Sequence, residues 1–261
     1  MKVVEEFHEF TWDMIKSLPK AYYFQNINLP YQVKCKPGLK SVYYFSSDVE
    51  EVERFDAIND TVSYNLEPPY YTESQWSPPP IKDHFKNKIS FNKPVVVIQN
   101  KFALEWSQGV FNYFTIEVLG ELFGYLKEKY DIVYIRPTGK AKDYYTDENE
   151  IKEFEDYAFI KKEHPEVYTI EDFTRMYPDM SYNTLQFTIE ASSERHITVS
   201  GGNACIASYF GGDVMIFDSP QGIGAGRGIW KTDSWLKLLS GANILGFNSY
   251  KSLIKEVKNR W

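Results

Sequence analysis

A chain of 261 residues that is 43% hydrophobic and 25% charged carries enough apolar material for a large α/β core, which excludes a disordered or fibrous polypeptide. Its formal net charge of −7 repels phosphate backbones and sets nucleic acid aside as a general partner. No apolar run approaches the ~20 residues that span a bilayer, and the opening MKVVEEFHEF is acidic where a signal peptide is basic and then apolar, so a cytoplasmic protein without a membrane span is expected.

Taken in chain order, residues 3–16 (VVEEFHEFTWDMIK) space their apolar side chains as a helix does, and Leu18-Pro19 is read as its stop. SVYYFSS (41–47) is rich in β-formers and predicts a strand; DVEEVERF (48–55) predicts a short acidic helix with Asp48 as its N-cap. The proline-rich EPPYYTESQWSPPP (67–80) reads as a surface loop or linker. It separates a small N-terminal α/β part, residues 1–92, from a larger part, 93–261.

From Lys93 the pattern alternates strand and helix. PVVVIQN (94–100) and DIVYIRP (131–137) are continuous apolar runs of the kind buried on both faces, separated by a helix over about 112–129. A charged stretch (138–155) leads to a short strand at AFIKK (158–162) and helices near 170–176 and 182–192. HITVSGG (196–202) is a strand running into glycines, and NACIASYF (203–210) opens a helix. DVMIFDS (213–219) is a strand, TDSWLKLL (232–239) a helix, ANILGF (242–247) the last strand and SYKSLIKEVKNR (249–260) the terminal helix. Repeated βα units imply an α/β fold with a doubly wound, mainly parallel, Rossmann-like sheet.

In such a sheet ligands bind beyond the carboxyl ends of the strands. The candidate tips are Asn100-Lys101, Arg136, Ser200-Gly201-Gly202-Asn203 and Asp218. The glycine turn lets backbone approach an anion closely at a helix start; its competing reading is a turn kept for tight helix packing. Lys101 is a phosphate point charge, and Glu105 on the same loop can serve as a base. Arg136, ending a very apolar strand, must reach either a carboxylate or a phosphate. GIGAGRG (222–228) is either a loop closing over a nucleotide with Arg227 as its charge or a plain surface loop. Cys205, inside the helix start, reads as a buried inert thiol rather than a nucleophile. Two separated cysteines, four scattered histidines and the absence of HExxH or DxD leave no metal set, and neither GxxxxGK[ST] nor GxSxG occurs. The 17% aromatic content, with 20 Tyr and 18 Phe, suits sugar-binding walls as well as ordinary core edges.

The succession KPVVVIQNKFALEW, FTIEVLGELFGYL, YDIVYIRP and SERHITVSGGNACIASYFGGDVMIFDSP resembles the nucleotide-sugar-binding half of a GT-B-type glycosyltransferase. Its layout is similar to the heptosyltransferase and fucosyltransferase-like groups and to small glycosyltransferases of microbes and large DNA viruses, over residues 93–261. The resemblance implies a GT-B-like fold with a reduced N-terminal part. It further implies an enzyme moving sugar from a nucleotide-sugar donor to a glycan acceptor, inverting and metal-independent. By that resemblance Ser200, Gly201, Gly202 and Asn203 hold the donor diphosphate, Lys101 and Arg136 neutralise it as it leaves, and no separate cofactor is required. Asp48 is the acceptor-side base, with Glu105 its rival. A non-catalytic glycan- or protein-binding module on the same fold and a nucleotide-dependent oxidoreductase are the alternatives; the second calls for a GxGxxG after an early strand, which this chain lacks.

Overall fold

Two all-parallel sheets organise the protein in the computed structural model, which describes residues 1–5, 13–52, 76–104, 109–138, 151–221 and 235–261. The small sheet has the order β1 (Lys2–Glu5), β2 (Tyr31–Cys35), β3 (Val49–Glu51). The large sheet contains β4 (Val95–Gln99), β5 (Asp131–Ile135), β6 (Tyr168–Thr169), β7 (Ser193–Val199), β8 (Asp213–Phe217) and β9 (Asn243–Phe247), in the spatial order β6-β5-β4-β7-β8-β9. Counted within that sheet, the strands run 3-2-1-4-5-6, the dinucleotide-fold order, which reverses direction between β4 and β7.

Helices cover both faces of the large sheet, as the uninterrupted apolar strands require. On one side Val96, Ile98, Tyr134, Ile197 and Val199 pack beneath α3 (Ile116–Leu126) and α8 (Tyr250–Arg260). On the other, Val95, Val97, Val133 and Ile135 meet α5 (Ile170–Met176) and α6 (Tyr182–Ala191). Thr115, Thr169, Ser181 and Ser249 cap α3, α5, α6 and α8 by accepting a backbone N–H from three residues on. Among the described residues no helix is long and apolar enough to cross a membrane.

The N-terminal elements share a core with the large sheet. Val4, Val33 and Val42, with Leu18 and Phe24 of α1 (Leu18–Asn26), join one buried cluster with Phe187 of α6, Ala204 and Cys205 of α7 (Gly202–Ser208), and Val214 and Ile216 of β8. Phe85 of α2 (Ile81–Phe85) lies 5.4 Å from Phe187, ring centre to ring centre. The strands of the small sheet lie within residues 2–51 and those of the large sheet within 95–247, with α6 packed against elements of both.

Six local expectations are corrected. Residues 2–5 form β1, not the start of a helix over 3–16, because pairing with β2 and burial of Val4 outweigh a helical spacing. Pro19 does not stop a helix: it lies at the start of α1, which continues directly from the helical segment Asp13–Ser17. SVYYFSS makes a 3-10 turn at Lys40–Tyr43 and a following turn, burying Val42 and Tyr43, instead of a strand. Val49–Glu51 forms β3 rather than a helix, so Asp48 precedes a strand and caps nothing. AFIKK lies within α4 (Asp156–Glu163). Of TDSWLKLL, Trp235–Leu239 is a 3-10 segment.

Candidate active site

The reversal of strand order opens a crevice at the carboxyl ends of β4 and β7. The two strands pair from Val95/Ser193 to Ile98/Ile197; beyond that point Asn100-Lys101 and Ser200-Gly201-Gly202-Asn203 stand on its two sides. Gly201 has φ 125° and ψ −155°, a conformation essentially reserved for glycine. A Cβ at Gly201 would lie 3.2 Å from the Lys101 Nζ, so the ammonium is poised directly over the turn. The Asn203 Nδ2 donates to the Asn100 carbonyl at 3.2 Å and closes the crevice floor. These six residues, separated by a hundred positions in sequence, are brought together. Asp218 follows β8 immediately beside them, since the Ser200 N–H donates to the Phe217 carbonyl at 2.8 Å.

Asn100 itself is fully buried and fully engaged. Its Oδ1 accepts from the N–H groups of Phe114 at 2.8 Å and Lys101 at 3.0 Å, while its Nδ2 donates to the Phe114 carbonyl and the Tyr134 hydroxyl. It pins the loop that carries Lys101. Beyond Lys101, Phe102 stacks on Phe154 at 4.5 Å with Tyr113 edge-on, giving the loop a half-buried aromatic lip.

Arg136 meets the first of its two alternatives, a carboxylate. Its Nη2 donates to Asp156 Oδ1 at 2.7 Å and its Nε to Asp156 Oδ2, with the guanidinium stacked over Tyr157. Tyr134 donates its hydroxyl to the same carboxylate, and burial beside this anion holds the phenol well above its ordinary range. The charge of Arg136 is compensated inside the protein. Asp48 lies at the amino end of β3, where its side chain accepts from Gln32 Nε2 at 3.3 Å, and so is not on the carboxyl edge of the small sheet. Glu105 and Arg227, with the GIGAGRG loop, lie outside the described residues.

Sequence reasoning missed a buried charge pair. Asp13 and Lys36, both almost wholly inaccessible, stand 3.9 Å apart beyond the carboxyl ends of β1 and β2. The turn Asp13–Ser17 packs against α7, and the Tyr209 hydroxyl donates to the Met14 carbonyl at 2.5 Å. The helical spacing of residues 3–16 absorbs Asp13, whose one signal in the sequence is a charge flanked by Trp12 and Met14. Cys205 is buried, and burial pushes its thiol up to about 12, so the helix start does not activate it.

No family model matches this sequence, and no curated protein matches it. Among solved structures, the chain is similar to a glycosyl transferase of family 9 from Veillonella parvula, with a TM-score of 0.44 and 8% identity over 100% of this chain and 66% of that one. It is also similar to a point variant of the wall teichoic acid polymerase TagF, with a TM-score of 0.30 and 15% identity over 69% of this chain. The chain thus spans just under two thirds of the length of the first and 37% of the second.

Proposed function

We propose that the protein is a glycosyltransferase that binds the diphosphate of a nucleotide-sugar donor at the β4/β7 crevice. The observation that supports this reading is the Lys101 ammonium held over the Gly201 turn at the point where the strand order reverses. A cation beside close-approach backbone suits a leaving diphosphate, whose charge grows as the bond to the anomeric carbon breaks. Ser200, Gly202, Asn203 and Asp218 complete the donor side. In the inverting reaction a carboxylate takes the proton of an acceptor hydroxyl, the oxygen attacks the anomeric carbon, and the sugar–phosphate bond breaks with its electrons passing to the diphosphate. Asp48, at the amino end of β3, stands away from the carboxyl edge of the small sheet, which leaves Glu105, four residues past Lys101 in sequence, as the candidate for that role.

Thermal-shift screening of a sugar-nucleotide panel, followed by calorimetry and a transfer assay with and without EDTA, tests the proposal. A ligand at ~100 times its dissociation constant raises stability by ~2.7 kcal/mol. Binding of a sugar nucleotide and transfer that survives chelation are expected. Activity lost to EDTA and restored by manganese or magnesium would remove the metal-independent mechanism. Because the 3-2-1-4-5-6 order also houses dinucleotides, nicotinamide dinucleotides belong in the panel; binding of these alone would favour the oxidoreductase reading.

A further inference from the structure

Directly beneath the crevice, three polar side chains are sealed in the interior with no solvent exposure: Gln99 on β4, His196 on β7 and Glu190 on α6. Gln99 Nε2 donates to Glu190 Oε1, and His196 Nδ1 stands 2.9 Å from Glu190 Oε2. Among the described residues, Gln99 Oε1 and His196 Nε2 have no hydrogen-bond partner. A buried carboxylate is costly to keep, and interiors tolerate one only where it is paired and held. Its placement is informative. The β4–β7 pairing ends at Ile98/Ile197, and Gln99 is the last inward residue before Asn100-Lys101, while His196 begins the stretch of β7 that ends in the glycine turn. Where backbone pairing stops, the links across the gap are made by side chains: Glu190 from below and Asn203 to Asn100 above.

We infer that Glu190 is a positioning residue: one carboxylate on α6 grips both strands where their backbone pairing ends and sets the separation of the Lys101 and Gly201 tips. Its importance for donor binding rests on the transferase reading; its geometric role does not. The same helix reaches the N-terminal part, where Asn183 Nδ2 donates to the Gly38 carbonyl at 2.7 Å and Phe187 packs on Phe85. Helix α6 therefore carries contacts to the N-terminal elements as well as to the crevice strands.

Amide hydrogen exchange on the full chain, with no ligand present, tests this. Glu190→Met is expected to speed exchange at residues 100–102 and 200–203 by about tenfold beyond any change in α8, which packs on the opposite face. The swap Gln99→Glu with Glu190→Gln rebuilds a donor–acceptor bridge with the charge moved to the strand, and is expected to return both tips close to wild type. Should Glu190→Met fail to fold, Gln99→Leu breaks one arm and is expected to loosen 100–102 more than 200–203. Exchange that rises evenly across the molecule, tips that do not respond, or a swap that rescues nothing would overturn the inference. Calorimetry with inorganic pyrophosphate on the same proteins separates the two claims. A loosened crevice in a protein that binds neither pyrophosphate nor sugar nucleotide keeps the role of Glu190 and removes the transferase reading.

Discussion

Asp156 receives the Nε and Nη2 edges of Arg136 as a fork in the protein interior, where the arginine side chain is 4% exposed and the carboxylate 0%. The pair joins the end of β5 to the start of α4, and Tyr157 completes the joint by donating its hydroxyl to the Arg136 carbonyl at 2.8 Å. A bidentate pair this deep holds its charges by mutual compensation, so removing one partner strands the other.

Asp156→Ala is therefore expected to cost about 3–5 kcal/mol, and Arg136→Met a similar amount, whereas the double replacement by apolar residues costs much less than the sum. Urea denaturation of the four proteins measures the coupling. Calorimetry of Arg136→Met with pyrophosphate is expected to show little change; a large fall in affinity at intact stability would return Arg136 to the donor site.

Lys101 should divide the other way. Its ammonium stands over the turn rather than in a core, so Lys101→Met is expected to leave stability within about 0.5 kcal/mol. The same change removes a charge-assisted contact of about 1.5–3 kcal/mol from pyrophosphate and sugar-nucleotide binding. Equal affinities in the two proteins would detach Lys101 from the anion.

Gly201→Ala places a side chain in backbone space that only glycine adopts readily and pushes its Cβ toward the Lys101 Nζ. A loss of roughly 1–3 kcal/mol is expected without ligand, together with weaker pyrophosphate binding as the ammonium is displaced. Chemical denaturation and calorimetry on one preparation give both numbers. An unaltered melting midpoint would contradict the backbone geometry of the turn.

The two thiols predict an alkaline limit. Burial pushes Cys205 up to about 12, and burial followed by the charges of Glu51 and Asp13 pushes Cys35 up to about 12, with Lys40 pulling weakly the other way. Folded, each thiol holds its proton more tightly than it does unfolded. Their contribution is intact below about pH 8.5, the ordinary thiol value, and drains away as pH rises toward the folded value. Stability should fall between pH 8.5 and 11, less steeply in Cys205→Ala, and a thiol reagent at pH 8 should label neither cysteine until urea is added. Rapid native labelling would show that the sites are open.

Strands with continuous apolar burial, such as Val95–Ile98 and Ile132–Ile135, were legible because both faces of a central parallel strand want the same residues. Short edge strands were not: β1 buries one residue in four and β3 none, so nothing in their alternation marks a face. Tyr43 and Tyr44 carry strong β preference, yet their rings serve a core and a stacking partner, His84 at 3.8 Å, which a turn satisfies as well as a strand. In the site, Lys101 and the glycine turn were legible from strand ends alone. The partner of Arg136 lies twenty residues on, between a charged stretch and a short segment read as a strand, and Glu190 reads from sequence as one more polar residue on a helix. Both acquire meaning only through contacts across the fold.

The common core of the two parts also governs how this chain can be divided. Phe187, Ala204, Cys205, Ile206 and Phe210 belong to the large-sheet half but are covered together with Val4, Met14, Leu18 and Val33 from the other. Cutting at the proline-rich junction would bare that apolar surface on both fragments, and a fragment holding only the crevice strands would be drawn to any similar surface it met. Val4, Met14, Leu18 and Val33 act as a built-in cover for the crevice-bearing half, so gene fusions, truncations and exchanges between relatives have to carry both parts as one unit.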